Sequence, residues 1–204
     1  MMTMDQLVSP AGLDMLPGFD EPVAAAQIVF RALMDALSRP GRVVSLPALM
    51  HAPRELEPAA AAIGLGILDG DTALWMPGDC AAAAAWLRFH TGCRIVRSVA
   101  DADFILLPRG CETPDLSQLR LGSDEAPHGS ATLIVAVARL ESGRGARLTG
   151  PGIDGEARLS IAGAPDGLLA RRDEMVSAFP RGFELVLCCG DMIAALPRTT
   201  RVEG

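Results

Sequence analysis

Three arginines, two glycines, two threonines and a histidine are the residues of this chain whose types and spacing could do chemistry. Arg144 and Arg147 precede the run Leu148-Thr149-Gly150-Pro151-Gly152, and Arg198 lies in Pro197-Arg198-Thr199-Thr200 near the C-terminus. Guanidinium forks, threonine hydroxyls and backbone N–H groups left bare by glycine are what phosphate or phosphonate recognition uses. Gly150 and Gly152 allow positive φ and close backbone approach, and Pro151 stiffens the turn between them. The candidates for holding an anion or a partner protein are therefore Arg144, Arg147, Thr149, Gly150, Gly152, Arg198 and Thr199. His128, in the polar loop from Ser123 to Ser130, joins them as the histidine best placed for solvent-exposed chemistry. A second account competes with this one. With 25 acidic residues in the chain, Arg147 and Arg198 can instead pair with carboxylates such as Asp154 and Glu156, within or between subunits.

Other chemistries fit less well. Gly150 to Gly155 spells G-x-G-x-x-G, but that dinucleotide fingerprint must open a helix, and Glu156 to Ile161 reads as a strand. His90 stands three residues before Cys93 without a second Cys/His pair at zinc spacing, so no metal site is expected, and His90 reads as a group at a helix C-terminus. No G-x-S-x-G elbow or Cys/His signature points to a nucleophile, so no catalytic residue is assigned. All 18 basic residues are arginine. Without lysine, a pyridoxal-phosphate Schiff base and a Walker A loop are both excluded in their ordinary form, and no cofactor is expected.

The elements that must position these groups follow from periodicity. Pro22 to Leu37 places Val23, Ala26, Phe30, Leu33, Met34 and Leu37 at three- and four-residue spacing, an amphipathic helix ended by Ser38-Arg39-Pro40-Gly41. Strands are expected at Arg42 to Leu46, Thr72 to Met76, Cys93 to Val96 and Phe104 to Leu107, with helices from Glu57 to Leu68 and Cys80 to His90. Thr132 to Val137 has no polar alternation and reads as a strand covered on both faces, central in its sheet. Glu141-Ser142-Gly143 then reads as a turn, with Ala146 and Leu148 returning antiparallel beside that strand. Further on, Ala157 to Ile161 is expected to be a strand and Asp166 to Phe179 a helix, followed by a hairpin of Phe183 to Cys189 and Met192 to Leu196. The pattern predicts an α/β domain over 20–204 with a mixed β-sheet and helices on both faces, preceded by a loosely held arm over 1–19.

Composition narrows the class. A net charge of -7 argues against nucleic-acid or anionic-membrane binding. Half of the residues are hydrophobic, yet no apolar run reaches the roughly 18 residues of a membrane span, so the excess is expected in the core or at a subunit interface, as in a homodimer. Five cysteines without regular spacing, and no export signal, suggest reduced thiols in the cytoplasm.

Several stretches, taken in order, resemble one family: Phe30-Arg31 with Ser38-Arg39-Pro40-Gly41, Trp86-Leu87-Arg88-Phe89-His90-Thr91-Gly92, Ala131-Thr132-Leu133, Arg147-Leu148-Thr149-Gly150-Pro151-Gly152-Ile153 and Pro197-Arg198-Thr199-Thr200. The family is PhnH, the H subunits of the bacterial carbon-phosphorus lyase system. The resemblance runs from about Asp20 to Glu203, loosens over 51–70 and 154–170, and departs at Arg181 and Glu184, where the family tends to be more apolar. It implies a fold similar to a reduced pyridoxal-phosphate-dependent transferase without the cofactor. It also implies partner subunits of the G, I, J and L types, and a part in forming ribose 1-methylphosphonate 5-triphosphate from ATP and methylphosphonate with displacement of adenine. The resemblance carries over no catalytic residue. The rival expectation is a self-sufficient enzyme or binding protein for a phosphorylated metabolite, working at the Arg147 loop.

Overall fold

The computed structural model describes residues 16–47 and 51–203. Helix α1 (Pro22–Ser38) starts on a proline in its first turn, where the missing N–H costs nothing. Strand β1 (Val44–Ser45) follows, then α2 (Pro58–Ile67), β2 (Ala73–Trp75), α3 (Ala81–Thr91), β3 (Arg94–Ile95) and β4 (Phe104–Leu107). Helix α3 stops because Gly92 takes the left-handed conformation at φ 76°. The second half holds β5 (Thr132–Ala136), β6 (Arg139–Thr149), β7 (Ala157–Ala162), α4 (Leu168–Met175), β8 (Glu184–Cys189), β9 (Met192–Leu196) and β10 (Arg201–Glu203).

Seven strands form one mixed sheet in the order β1-β9-β8-β5-β4-β2-β3, with β5 in the middle, and β10-β6-β7 form a second, antiparallel sheet. The run from β3 to β8 is parallel, while β9 and β1 close one edge antiparallel. Alternation along the central strands divides the core in two. Leu106, Ile134, Val186, Cys188, Ile193 and Ala195 face α1, α2 and α3. Ile105, Leu107, Leu133, Val135, Leu185 and Leu187 face the other way, onto Leu140, Leu148 and Leu159 of the small sheet and Leu168 of α4. The protein is thus a mixed α/β fold, but helices dominate only one face. The other is covered chiefly by the second sheet, with the eight-residue α4 beside it.

Four expectations change. Ala146 and Leu148 do not return beside β5. The chain leaves the large sheet after Val137, and Glu141-Ser142-Gly143 stays inside β6, paired with β7 through Glu141↔Ser160 and Ser142↔Leu159. Gly143 and Gly145, at φ 83° and 81°, form an irregularity in that pairing, so glycine marks a bulge here and not a turn. The helix expected over Asp166 to Phe179 is shorter, because Gly167 caps it and a 3-10 turn, Val176–Ala178, ends it. In α1 the buried stripe is Val29, Leu33 and Ala36, whereas Val23, Phe30 and Met34 are exposed. Most of the arm expected over 1–19 lies outside the described residues. Its end is held, since the Leu16 carbonyl accepts a 2.7 Å bond from Trp86 Nε1 and lies 3.0 Å from His90 Nε2. His90, expected only as an end group of α3, therefore docks that segment, with its ring edge-on to Trp86. Among the described residues no helix is long and apolar enough to cross a membrane.

Candidate functional site

The residues singled out in the sequence fall into three places. Arg144 is exposed on β6 and lies 3.3 Å from Glu141. Arg147 sits between two carboxylates, with Nε donating to Glu156 and an Nη to Glu203, both at 2.7 Å. Residue 203 is its register partner on β10, so sheet pairing itself delivers one of the two acids. The Arg147 hydrogen bond, ahead of the Arg158 charge, holds the Glu156 carboxyl below its ordinary range.

Arg198 is satisfied on every nitrogen. Its Nε donates to Glu184 at 2.6 Å, one terminal nitrogen to the carbonyls of Pro127 and Pro180 at 2.8 and 3.1 Å, and the other to Ser130 Oγ at 2.7 Å. Its backbone N–H also donates to Glu184, at 2.8 Å. Glu184, a departure from the family pattern in the sequence, is thus the acid that neutralises this arginine. Exposed His128 stands on the same turn, beside Pro127. The turn after β9 has a second brace: Arg172 of α4, 2% exposed, donates to the carbonyls of Thr200, Leu196 and Pro197. Burial pushes its guanidinium down to about 10. Nothing in the sequence pattern marked Arg172 as buried, because it falls in a run of polar and charged letters.

Thr149, Gly150, Gly152 and Thr199 belong to the packing around this turn and around the end of α1. Thr149 pairs with Arg201 across the second sheet. A Cβ on Gly150, at φ 135°, would come 2.8 Å from the Thr199 carbonyl, and one on Gly152, at φ 85°, would strike the carbonyl of Ser38. These glycines serve close backbone approach. Gly152 brings the glycine loop against Ser38-Arg39-Pro40-Gly41, and Ser142 locks the contact by donating to the Gly41 carbonyl at 2.9 Å and accepting from Val43 N–H at 3.0 Å. Between the two stretches runs a groove of about 540 Å³ lined by Arg39, Arg42, Ser142, Ile153, Asp154 and Arg158. Arg39 and Arg42 share Asp35.

A different site was not read from the sequence. The link from β2 runs through α3 to β3 on one side, whereas β4 leads on to β5 on the other, so the carboxyl ends of β2 and β4 form the switch point where open α/β sheets bind ligands. There Asp79 and Cys80 follow β2, and Cys111 follows β4. One oxygen or sulfur atom from each lies within 4.8 Å of the other two. A cavity of about 340 Å³ beside them is lined also by Arg54, Glu55, Glu57 and Arg109. Cys111 borders a second cavity, of about 450 Å³, shared with Glu112, Thr113, Asp166 and Arg171. Glu57 pairs with Arg109 and accepts the Gly190 N–H at 3.0 Å. Burial first, then the Asp79 charge, push the Cys80 thiol up to about 12, so it is no nucleophile at neutral pH. Cys80 and Cys111 are far apart in sequence, so spacing along the chain did not join them. Two adjacent parallel strands bring them together.

The fold and these sites define a mixed α/β protein whose conspicuous arginines are paired with carboxylates, with a cavity at its sheet switch point. Residues 17–203 match the family of the bacterial phosphonate metabolism protein PhnH, and the chain belongs to that family. It is similar to the alpha-D-ribose 1-methylphosphonate 5-triphosphate synthase subunit PhnH of Rhizobium meliloti (strain 1021), 36% identical over 187 residues that cover 91% of this chain and 94% of that protein. It is also similar to the putative C-P lyase subunit protein HtxG of Stutzerimonas stutzeri, 36% identical over 177 residues, 87% of this chain and 85% of that one.

Proposed function

We infer that this chain is a subunit of the carbon-phosphorus lyase system for alkylphosphonate catabolism. It supports formation of ribose 1-methylphosphonate 5-triphosphate from ATP and methylphosphonate, in the cytoplasm, together with partner subunits of the G, I, J and L types. Family membership over nearly the whole chain supports the system. The role within it rests on one observation: Arg147 and Arg198, the cations a self-sufficient phosphometabolite site would need, already hold Glu156, Glu203 and Glu184. An arginine whose donors are engaged by carboxylates and carbonyls has less left to offer a phosphate. The Arg147 loop therefore shapes a surface, and the groove it forms with Arg39 to Arg42 is the surface we assign to a partner subunit.

Association has its own support. Val23, Phe30 and Met34 form a stripe on α1 that is 87%, 52% and 41% exposed, and apolar stripes of this kind belong to interfaces. We assign it to a homodimer of the isolated chain. The fold itself we read as a reduced pyridoxal-phosphate transferase on the strength of its largely parallel sheet, in a chain that has no lysine to carry that cofactor. Affinity capture of the tagged chain from phosphate-starved cells tests the reading. Co-purification of the other lyase subunits is expected, and recovery of the chain without any of them contradicts it.

A further inference from the structure

The carboxyl edge of the parallel sheet carries chemistry that a scaffolding role does not use. Asp79 and Cys80 stand in the turn that leads from β2 into α3, and Cys111 in the turn after β4, so two adjacent strands hold the three side chains at one point. Cys80 Sγ is 3.6 Å from Asp79 Oδ1. Zinc bonds of about 2.3 Å to sulfur and about 2.1 Å to oxygen, arranged tetrahedrally, set neighbouring ligand atoms about 3.5 to 3.8 Å apart. The three ligand atoms, within 4.8 Å of one another, already stand near that spacing. Two sulfurs with one carboxylate select a thiophilic or borderline ion over magnesium or calcium, which prefer oxygen-only ligands.

We propose that Asp79, Cys80 and Cys111 form a three-ligand site for a zinc-class divalent cation, whose fourth position opens onto the cavity lined by Glu55, Glu57 and Arg109. Three protein ligands with one position left for water or a ligand is the pattern of a reactive or exchangeable site, not of a closed structural one. The surroundings suit it. Cys80 is buried and fixed between a 3-10 turn and the start of α3, while Asp79 is exposed and Cys111 half-buried, so an ion has a rigid anchor and a route in. Of the two cations bordering the cavity, Arg109 is paired with Glu57 and Arg54 is exposed, while Glu55 and Asp79 add negative charge beside the ion. The switch-point position places the open coordination site where α/β sheets accept small molecules.

The test uses the full-length chain, reduced and stripped of metal, titrated with Co2+ as the spectroscopic probe and with Zn2+ in competition. One Co2+ per chain is expected, with thiolate-to-cobalt charge-transfer absorption in the near ultraviolet that Zn2+ abolishes. Zn2+ should also raise the melting temperature. Cys111→Ser and Asp79→Asn, at half-buried and exposed positions, and Cys80→Ser should each lose the absorption and the Zn2+-dependent rise, while Cys93→Ser keeps both. Melting of each metal-free variant shows that it is folded. No binding by the native chain, or equal binding by folded Cys111→Ser and native protein, overturns the proposal. So does a Cys80–Cys111 disulfide formed in air by a chain whose reduced form takes no Co2+, since that assigns the pair to redox chemistry.

Discussion

Arg198 shows how a residue that looks like a receptor for an anion becomes a structural node. Its partners come from three stretches, 127–130, 180 and 184, none of them its own turn, so no local pattern announces them. With both members of the Arg198–Glu184 pair largely removed from water, at 14% and 22% exposure, Arg198→Ala leaves the Glu184 carboxylate with only the backbone N–H of residue 198, and two carbonyls and the Ser130 hydroxyl without their donor. A loss of about 3 kcal/mol in denaturant unfolding is expected, the low end for a broken buried pair. Arg144→Ala, on an exposed pair, should change stability by less than about 0.5 kcal/mol. Arg147 behaves in a third way, through pH. The folded-state pKa of Glu156 lies below its unfolded value, so its contribution is fully present above the ordinary carboxylate range and is lost as pH falls through the folded pKa. The melting temperature of native protein should therefore exceed that of Glu156→Gln at neutral pH, and the gap should close in acid. At this scale the sequence made the arginines conspicuous and left both readings of them open. It hid the pairing of Glu184 with Arg198, the burial of Arg172 and the Cys80–Cys111 proximity, because each depends on which distant segments become neighbours.

Among the elements, α1 and β6 separate what periodicity can and cannot deliver. The three- and four-residue spacing over Pro22 to Leu37 placed the helix within a residue of its bounds. It did not choose the buried face, because Val29, Leu33 and Ala36 compete with an equally apolar stripe through Val23, Phe30 and Met34. Replacing Phe30 and Met34 together by Glu should weaken self-association in light scattering while leaving the melting temperature nearly unchanged, since neither side chain is in the core. In β6 the letters Glu141-Ser142-Gly143 are those of a turn, and pairing with β7 outweighs them. The glycines are distinguishable by experiment. Gly152→Ala meets both a positive φ and the Ser38 carbonyl and should cost on the order of 1 to 3 kcal/mol, whereas Gly143→Ala has open space around it and carries only the backbone strain of about 1 kcal/mol.

For the whole molecule, the central parallel strands and the β8–β9 hairpin were legible, because continuous apolar runs between glycine-bearing turns leave few alternatives to a buried sheet. The second sheet was not. Its strands β6, β7 and β10 bury one side only, and β10 is three residues long, too short to carry a period. That sheet makes the motifs converge: it sets the glycine loop against the end of α1 and presents the groove, with Arg147 closed by Glu203 from the last strand. The assignment of that groove to a partner subunit predicts a chain that contributes to phosphonate activation without performing it alone. Measuring adenine release from ATP and methylphosphonate tests that most directly, with the purified chain by itself, with the reconstituted G, I and L type subunits lacking it, and with all of them together. The account predicts no release by the chain alone, and release by the subunits that rises when the chain is added. Adenine release by the single purified chain, abolished in Arg147→Ala, would contradict it.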